Sequence, residues 1–228
     1  MTLVADKRLA VFAAILEPMR ILVTAFDAFG GEEINPTEQA LAHLPNEIGG
    51  AQISKRVVPT VFGKSLEKVI SAAEEEQVDA VVCLGQAGGR AHITPELIGI
   101  NLADATIADN AGVRPQDEPV VVGGPAAYFS TLPVKKMVAA IAASGATAAD
   151  EGVEIPAELS TTAGTFVCNQ LLYGLLHHFA GTPVKAGFIH VPFSAEQYKK
   201  NYPMLELPQI VTGIERALAA VVEDASQQ

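Results

Sequence analysis

The chain has 228 residues, enough for one α/β domain or at most two small ones. Hydrophobic residues make up 49% and charged residues 18%, which supports a substantial core and excludes disorder as the main state. The formal net charge of −11 repels phosphate backbones and anionic lipid, which sets nucleic acid and membrane surfaces aside as partners.

In chain order, residues 1–18 read as an extension ahead of the domain. Lys7 and Arg8 precede an apolar run at 9–16, but Glu17-Pro18-Met19-Arg20 follows without a small-residue cleavage pattern. The segment is therefore expected to be helical or disordered rather than a signal peptide, and Met19 is a natural start for a domain spanning 19–228. No apolar run approaches the ~20 residues a bilayer requires. Residues 20–26 (RILVTAF) form a short β-branched run closed by turn chemistry at Gly30-Gly31, a buried strand. Asn35-Pro36-Thr37-Glu38 opens a helix that continues through Leu41 and Leu44. A second strand is expected at 53–62, a helix at 65–77 and a fully buried strand at 79–84 (DAVVCL). The turn Gly85-Gln86-Ala87-Gly88-Gly89 follows. Residues 101–124 are the least regular, a long loop or a small hairpin. Helices at 134–143 and 166–179, a strand at 185–191 and a helix at 207–222 complete the pattern. Strands alternating with helices predict a mostly parallel central sheet covered on both faces, a three-layer α/β/α sandwich.

Only two cysteines occur, Cys83 and Cys168, too few for a disulfide framework. They suit a reducing, cytoplasmic setting in which each is either core or chemistry. Cys83, inside Val81-Val82-Cys83-Leu84, reads as core. Cys168 follows the small and polar run Ser160 to Thr165, so it is expected in the first turn of a helix. There the open N–H groups and the macrodipole favour a thiolate of lowered pKa and can bind an oxyanion. A buried, inert thiol is the competing reading, and position alone leaves both open. His190 closes the strand 185–191, at the carboxyl end where sites of open α/β sheets gather, and can serve a thiol as base. A core histidine bonded to a carbonyl is the alternative. His43, His92, His177 and His178 lie on helices or in a loop and compete poorly. Glu96, flanked by apolar residues, is a carboxylate that needs a partner, and it can orient an imidazole. Asp104 and Asp109 remain rivals for that part.

These residues bring out a resemblance. Phe26-Asp27-Ala28-Phe29-Gly30-Gly31 with Asn35-Pro36, Gly85 to Arg90 leading to Glu96 and Asn101, Ala163 to Asn169, and His190-Val191-Pro192-Phe193 stand in one order along the chain. Each block is weak alone. Together they resemble the pyroglutamyl peptidase I (pyrrolidone carboxyl peptidase) family of cysteine omega peptidases, over nearly everything from Arg20 onward. The resemblance implies a phosphorylase/hydrolase-like α/β/α sandwich, no metal, no organic cofactor and a homotetramer. It implies the catalytic set Cys168, His190 and Glu96, with pyroglutamyl peptides as substrates. It also implies a lactam pocket framed by Phe26 and Phe29, with Asn35 and Gln86 near it and Phe166 and Val167 lining it, and it gives Arg90 a supporting place. Two residues depart from the family pattern. Ala28 stands where Pro is common, and Leu97 follows Glu96 where Arg is common, so any support from that Arg must come from another residue.

A small, flat, uncharged ring suits aromatic faces and a few amide contacts, whereas a free N-terminal amine would carry an unpartnered charge into an apolar slot. Two other classes compete with this one. A nucleoside-phosphorylase-like transferase would need a phosphate site at Gly85 to Arg90, a turn that lacks both G-x-G-x-x-G and the Walker Lys. A non-catalytic binding protein of the same fold would tolerate alkylation of Cys168.

Overall fold

The computed structural model describes residues 18–143 and 154–227. The expectation for 1–18 falls, Pro18 aside, outside them. The elements in order are β1 (Arg20–Phe26), α1 (Pro36–His43), β2 (Glu47–Ile48), β3 (Ala51–Val58), α2 (Lys64–Glu75), β4 (Ala80–Gln86), β5 (Thr94–Pro95), β6 (Ile98–Ile100) and β7 (Ala127–Phe129). They continue with α3 (Val134–Ala142), α4 (Val167–His178), β8 (Lys185–Val191), β9 (Phe193–Ser194), β10 (Met204–Leu205) and α5 (Leu207–Ala225).

The main sheet has the order β2-β3-β1-β4-β8-β5. The β3, β1, β4 and β8 strands are parallel, and the two-residue strands β2 and β5 close the edges antiparallel. Strands β1, β4 and β8 are buried on both faces, so they read as nearly unbroken apolar runs and their alternation is hidden until the layers are seen. Ile21, Val23, Ala25, Val82, Leu84, Ile189 and Val191 point to one layer with α1, α3 and α5. Leu22, Phe26, Val81, Cys83, Ala186 and Phe188 point to the other, with α2 and α4. The three-layer α/β/α architecture follows.

Parallel strands deliver their carboxyl ends to one edge of the sheet. The chain leaves β1 for β3 on one side and returns to β4 on the other, so a topological switch point falls between β1 and β4. Phe26, Val58, Gln86 and Val191 all end strands at this edge.

The structure corrects the expected elements in places. The strand expected over 53–62 starts earlier and ends at Val58. Pro59 cannot donate to a ladder, and the following segment turns into a loop instead. The strand expected to stop at 84 runs on through Gln86, with Gly85 opposite His190 and Gln86 opposite Val191. The irregular stretch is both a loop and a hairpin. The β6 and β7 strands pair antiparallel and enclose it, and Ala103 bridges Glu118 within it.

Candidate active site

Side-chain alternation on β8 puts His190 on the same face as Ala186 and Phe188, the face covered by α4. The first residues of α4 come down onto this face. Phe166 is the N-cap, and no side chain caps the helix. A cap is ordinarily Ser, Thr, Asp or Asn, whose oxygen takes up a first-turn N–H. With Phe166 there, no side chain among the described residues takes up the first-turn donors beside Val167 and Cys168. Asn169, fully buried, fixes the helix start laterally. It accepts from Ile100 N at 2.9 Å and donates to Ile100 O at 2.9 Å and Leu102 O at 2.8 Å.

Gly85 is the meeting point. A Cβ there would stand 3.2 Å from Cys168 Sγ and 2.7 Å from the Phe188 ring, so only glycine leaves room for the thiol. Its register partner across the ladder is His190. Cys168 and His190 therefore flank one residue on one face. Among the described residues no hydrogen bond joins Sγ to the imidazole. Such contacts are commonly long in an unliganded site and tighten on substrate.

Glu96 reaches His190 from the edge. Its N–H donates to Phe188 O at 2.9 Å, and a bridge to Ser160 holds the residue at the end of β5. Its Oε1 lies 2.7 Å from His190 Nδ1 and 2.6 Å from an Arg90 guanidinium nitrogen. Arg90 also donates to Thr94 Oγ1 at 2.6 Å and Thr162 O at 2.8 Å, so it ties the carboxylate to the turn before α4. Burial alone would raise the Glu96 carboxyl. The hydrogen bond and charge of His190, then the Ser160 hydroxyl and the Arg90 charge, outweigh it and hold the group below the usual carboxylate range. An ionised carboxylate only accepts, so Nδ1 carries the ring proton and Nε2 presents a lone pair. Among the described residues neither Asp104 nor Asp109 is hydrogen-bonded to the imidazole, whose carboxylate partner is Glu96. Asp104 holds the loop through its backbone: its N–H donates to Thr165 O at 3.0 Å and its carbonyl accepts from Thr165 Oγ1 at 2.6 Å. Asp109 binds the N–H groups of Phe62, Ala111 and Val113.

Burial pushes the His190 imidazole down despite the opposing pull of Glu96. Burial, reinforced by the Glu96 charge, pushes the Cys168 thiol up to about 12. The expectation of a thiolate lowered by the helix terminus is thus corrected. The Cys168 backbone N–H does pull the thiol down, but desolvation of a residue only 7% exposed is larger. Both shifts run against the charged forms and toward a neutral thiol beside a neutral imidazole. Cys83 is fully buried and is likewise raised to about 12 by burial, in keeping with a core residue.

The aromatic residues gather at the same edge, with two adjustments. Phe26 and Val167 are buried, with Phe26 packed on Phe188 at 6.2 Å between ring centroids, so they form a floor rather than open faces. Phe29 and Phe166 are half-buried and 6.0 Å apart. Phe62, expected within the strand 53–62, instead completes them edge-on to Phe166 at 5.3 Å. The break at Pro59 was the signal that it leaves the sheet. Asn35 is occupied in capping α1. Its Oδ1 accepts from Thr37 N and Thr37 Oγ1 at 3.0 and 2.7 Å, and its Nδ2 donates to Asp27 O at 3.1 Å. It shapes the loop behind Phe29. Gln86 stands next to Gly85 and accepts from Gln197 Nε2 at 2.8 Å. Among the described residues no group of three or more His, Cys, Asp or Glu is arranged to hold a metal, and no helix is long and apolar enough to cross a membrane.

A thiol, an imidazole and a carboxylate drawn together at the carboxyl ends of a doubly wound sheet, beside an uncapped helix start, is the arrangement that cysteine-type hydrolases use. Comparison with known proteins is specific. The family model for pyroglutamyl peptidase matches residues 19–224. The pyrrolidone-carboxylate peptidase of Treponema denticola is 49% identical over 216 residues, covering 91% of this chain and 95% of that protein. That of Staphylococcus carnosus is 50% identical over 210 residues, covering 90% and 94%. The crystal structure of pyroglutamyl peptidase I from Bacillus amyloliquefaciens superposes with a TM-score of 0.82 at 42% identity, covering 90% of this chain and 97% of that one. A mutant pyrrolidone carboxyl peptidase from Pyrococcus furiosus superposes with a TM-score of 0.81 at 40% identity, covering 90% and 99%. The chain belongs to the pyroglutamyl peptidase family.

Proposed function

We propose that this protein removes the N-terminal pyroglutamyl residue from peptides, with Cys168 as nucleophile, His190 as base and Glu96 orienting His190, within one catalytic domain spanning 19–228. The observation that carries the assignment of residues is the Glu96–His190 contact at 2.7 Å on the face where Cys168 Sγ lies over Gly85. Because Glu96 fixes the proton on Nδ1, Nε2 takes the thiol proton as sulfur attacks the pyroglutamyl carbonyl. The open N–H groups at the start of α4 receive the negative charge that forms on oxygen. The imidazolium, stabilised by Glu96, then gives its proton to the leaving amine, and water cleaves the thioester. A neutral resting pair means that the proton moves with substrate in the site, as general-base catalysis.

Phe29, Phe62 and Phe166 offer faces to the flat lactam, above a floor of Phe26 and Val167. Gln86 provides an amide contact, and Asn35 holds the loop that carries Phe29. The phosphate-binding alternative finds no support at Gly85 to Arg90. The space above Gly85 holds the thiol, and the Arg90 guanidinium is engaged by Glu96, Thr94 and Thr162. The reading extends to a cytoplasmic homotetramer, in keeping with two free thiols and with the exposed Phe129 and Val122 as apolar surface.

The reading predicts that the protein hydrolyses a pyroglutamyl chromogenic amide and spares the prolyl one, and that iodoacetamide abolishes the activity. Equal cleavage of both amides, or full activity after alkylation of Cys168, contradicts it.

A further inference from the structure

Three half-buried rings meet beside Cys168, and they come from three separate segments. Phe29 lies in the loop after β1, Phe62 in the loop after β3, and Phe166 is the N-cap of α4, two residues before Cys168. Their spacing, 6.0 Å from Phe29 to Phe166 and 5.3 Å from Phe62 to Phe166, follows the backbone that carries them. One stretch of the long loop between β6 and β7, residues 104–110, bonds to all three carriers. Asp104 exchanges two hydrogen bonds with Thr165, the residue before Phe166. Asp109, buried, accepts from the N–H of Phe62 itself at 2.8 Å. Asn110 reaches the third carrier. Its N–H donates to Thr60 O at 3.0 Å, and its Nδ2 donates to Ala28 O at 2.8 Å and to Asp27 Oδ1 at 3.0 Å. A carbonyl can only accept, so the Asn110 atom facing Ala28 O is the NH2. Asp27 Oδ1 also accepts from Thr60 N at 2.7 Å, so the Asn110 amide joins the Phe29 and Phe62 carriers at one point. Among the described residues the backbone of Ala28 makes no other hydrogen bond, which leaves Asn110 as the tie nearest Phe29.

We propose that Asn110 is a positioning residue for substrate recognition. By holding the Ala28 carbonyl to the 104–110 stretch it fixes Phe29 relative to Phe62 and Phe166, and so fits the pocket to a five-membered lactam. The role rests on the peptidase reading above and gives its pocket a ring size. Without the tie, the Phe29 loop must be ordered when the lactam binds, and a pocket that can widen no longer disfavours a six-membered ring. The chemistry is left alone, because Asn110 bonds to none of Cys168, His190 and Glu96.

Asn110→Ala tests this. KM for a pyroglutamyl amide is expected to rise about threefold to tenfold, with kcat changed less than about threefold, the loss of hydrogen bonds that position without reacting. As competitive inhibitors, 2-pyrrolidone should weaken by the same factor and 2-piperidone, the six-membered lactam, by less than about twofold, so that the preference for the smaller ring shrinks. Asn110 is exposed, so the melting temperature should stay within about 2 °C of wild type. Iodoacetamide should modify Cys168 at the wild-type rate. Asn110→Asp keeps the shape but can only accept, and it sets a second carboxylate against Asp27, so it should lose at least as much in KM. Equal weakening of both lactams, an unchanged KM in either variant, or a fall in kcat as large as the rise in KM overturns the positioning role and leaves the peptidase reading intact. A wild-type protein that cleaves no pyroglutamyl amide overturns both.

Discussion

At the scale of single residues, the site turns on how burial redistributes protons. Cys168 sits where a helix terminus offers partial positive charge, yet its thiol is held near 12 because the sulfur is desolvated and Glu96 adds a negative charge nearby. The account therefore predicts that iodoacetamide modifies Cys168 in the free enzyme at a rate that climbs steadily from about pH 7 to about pH 10, following the thiolate fraction. A rate that is already flat across neutral pH would reveal a preformed thiolate–imidazolium pair and contradict the neutral resting state. Glu96 and His190 were legible in the sequence as a carboxylate among apolar neighbours and a histidine at a strand end. Arg90 was legible only as part of a resemblance. Its contact with Glu96 at 2.6 Å fills the supporting place left by Leu97, and no pattern of spacing announces a contact made across a loop.

At the scale of elements, the decisive event is the landing of α4 on β4 and β8. The strands and helices were readable because each carries an apolar run with punctuation, and 185–191 and 20–26 emerged with the expected limits. The lesser elements were not. The β5 strand is two residues long and exists because β8 offers an edge, so its pairing is a tertiary fact that local propensity cannot report. Phe62 escaped for the same reason. Its position depends on Asp109 taking up its N–H across the long loop between β6 and β7. The strongest element-level prediction concerns Gly85. Gly85→Ala introduces a methyl group 2.7 Å from Phe188 and 3.2 Å from Cys168 Sγ. It should destabilise the fold by about 1–3 kcal/mol, as overpacking does, and should lower kcat/KM by more than tenfold by displacing the thiol from the imidazole. Thermal melts beside steady-state kinetics check both, and an active variant would show that Cys168 need not sit over Gly85.

At the scale of the whole molecule, the same buried groups tie stability to pH. His190 is held below its ordinary value, so below about pH 6.5 the unfolded chain binds a proton that the folded protein resists. Stability rises with pH through that window and is lost beneath it. Glu96, also held low, contributes stability above the ordinary carboxylate range that disappears as pH falls through its folded value. Both losses run in the acid direction. Melting temperature is expected to fall from about pH 7 toward about pH 4, and His190→Asn should remove the earlier part of the fall. An unaltered slope near pH 6 in that variant would assign the acid sensitivity to other groups.

The central claim is that the sulfur of Cys168 becomes acylated by a pyroglutamyl group. Acid quenching during turnover of a pyroglutamyl ester, followed by peptide mass spectrometry, reads this directly. The account predicts one added pyroglutamyl mass on the peptide containing Cys168, absent in Cys168→Ser. An adduct carried by Cys83, or a Cys168→Ser variant that hydrolyses the substrate at the wild-type rate, would contradict it.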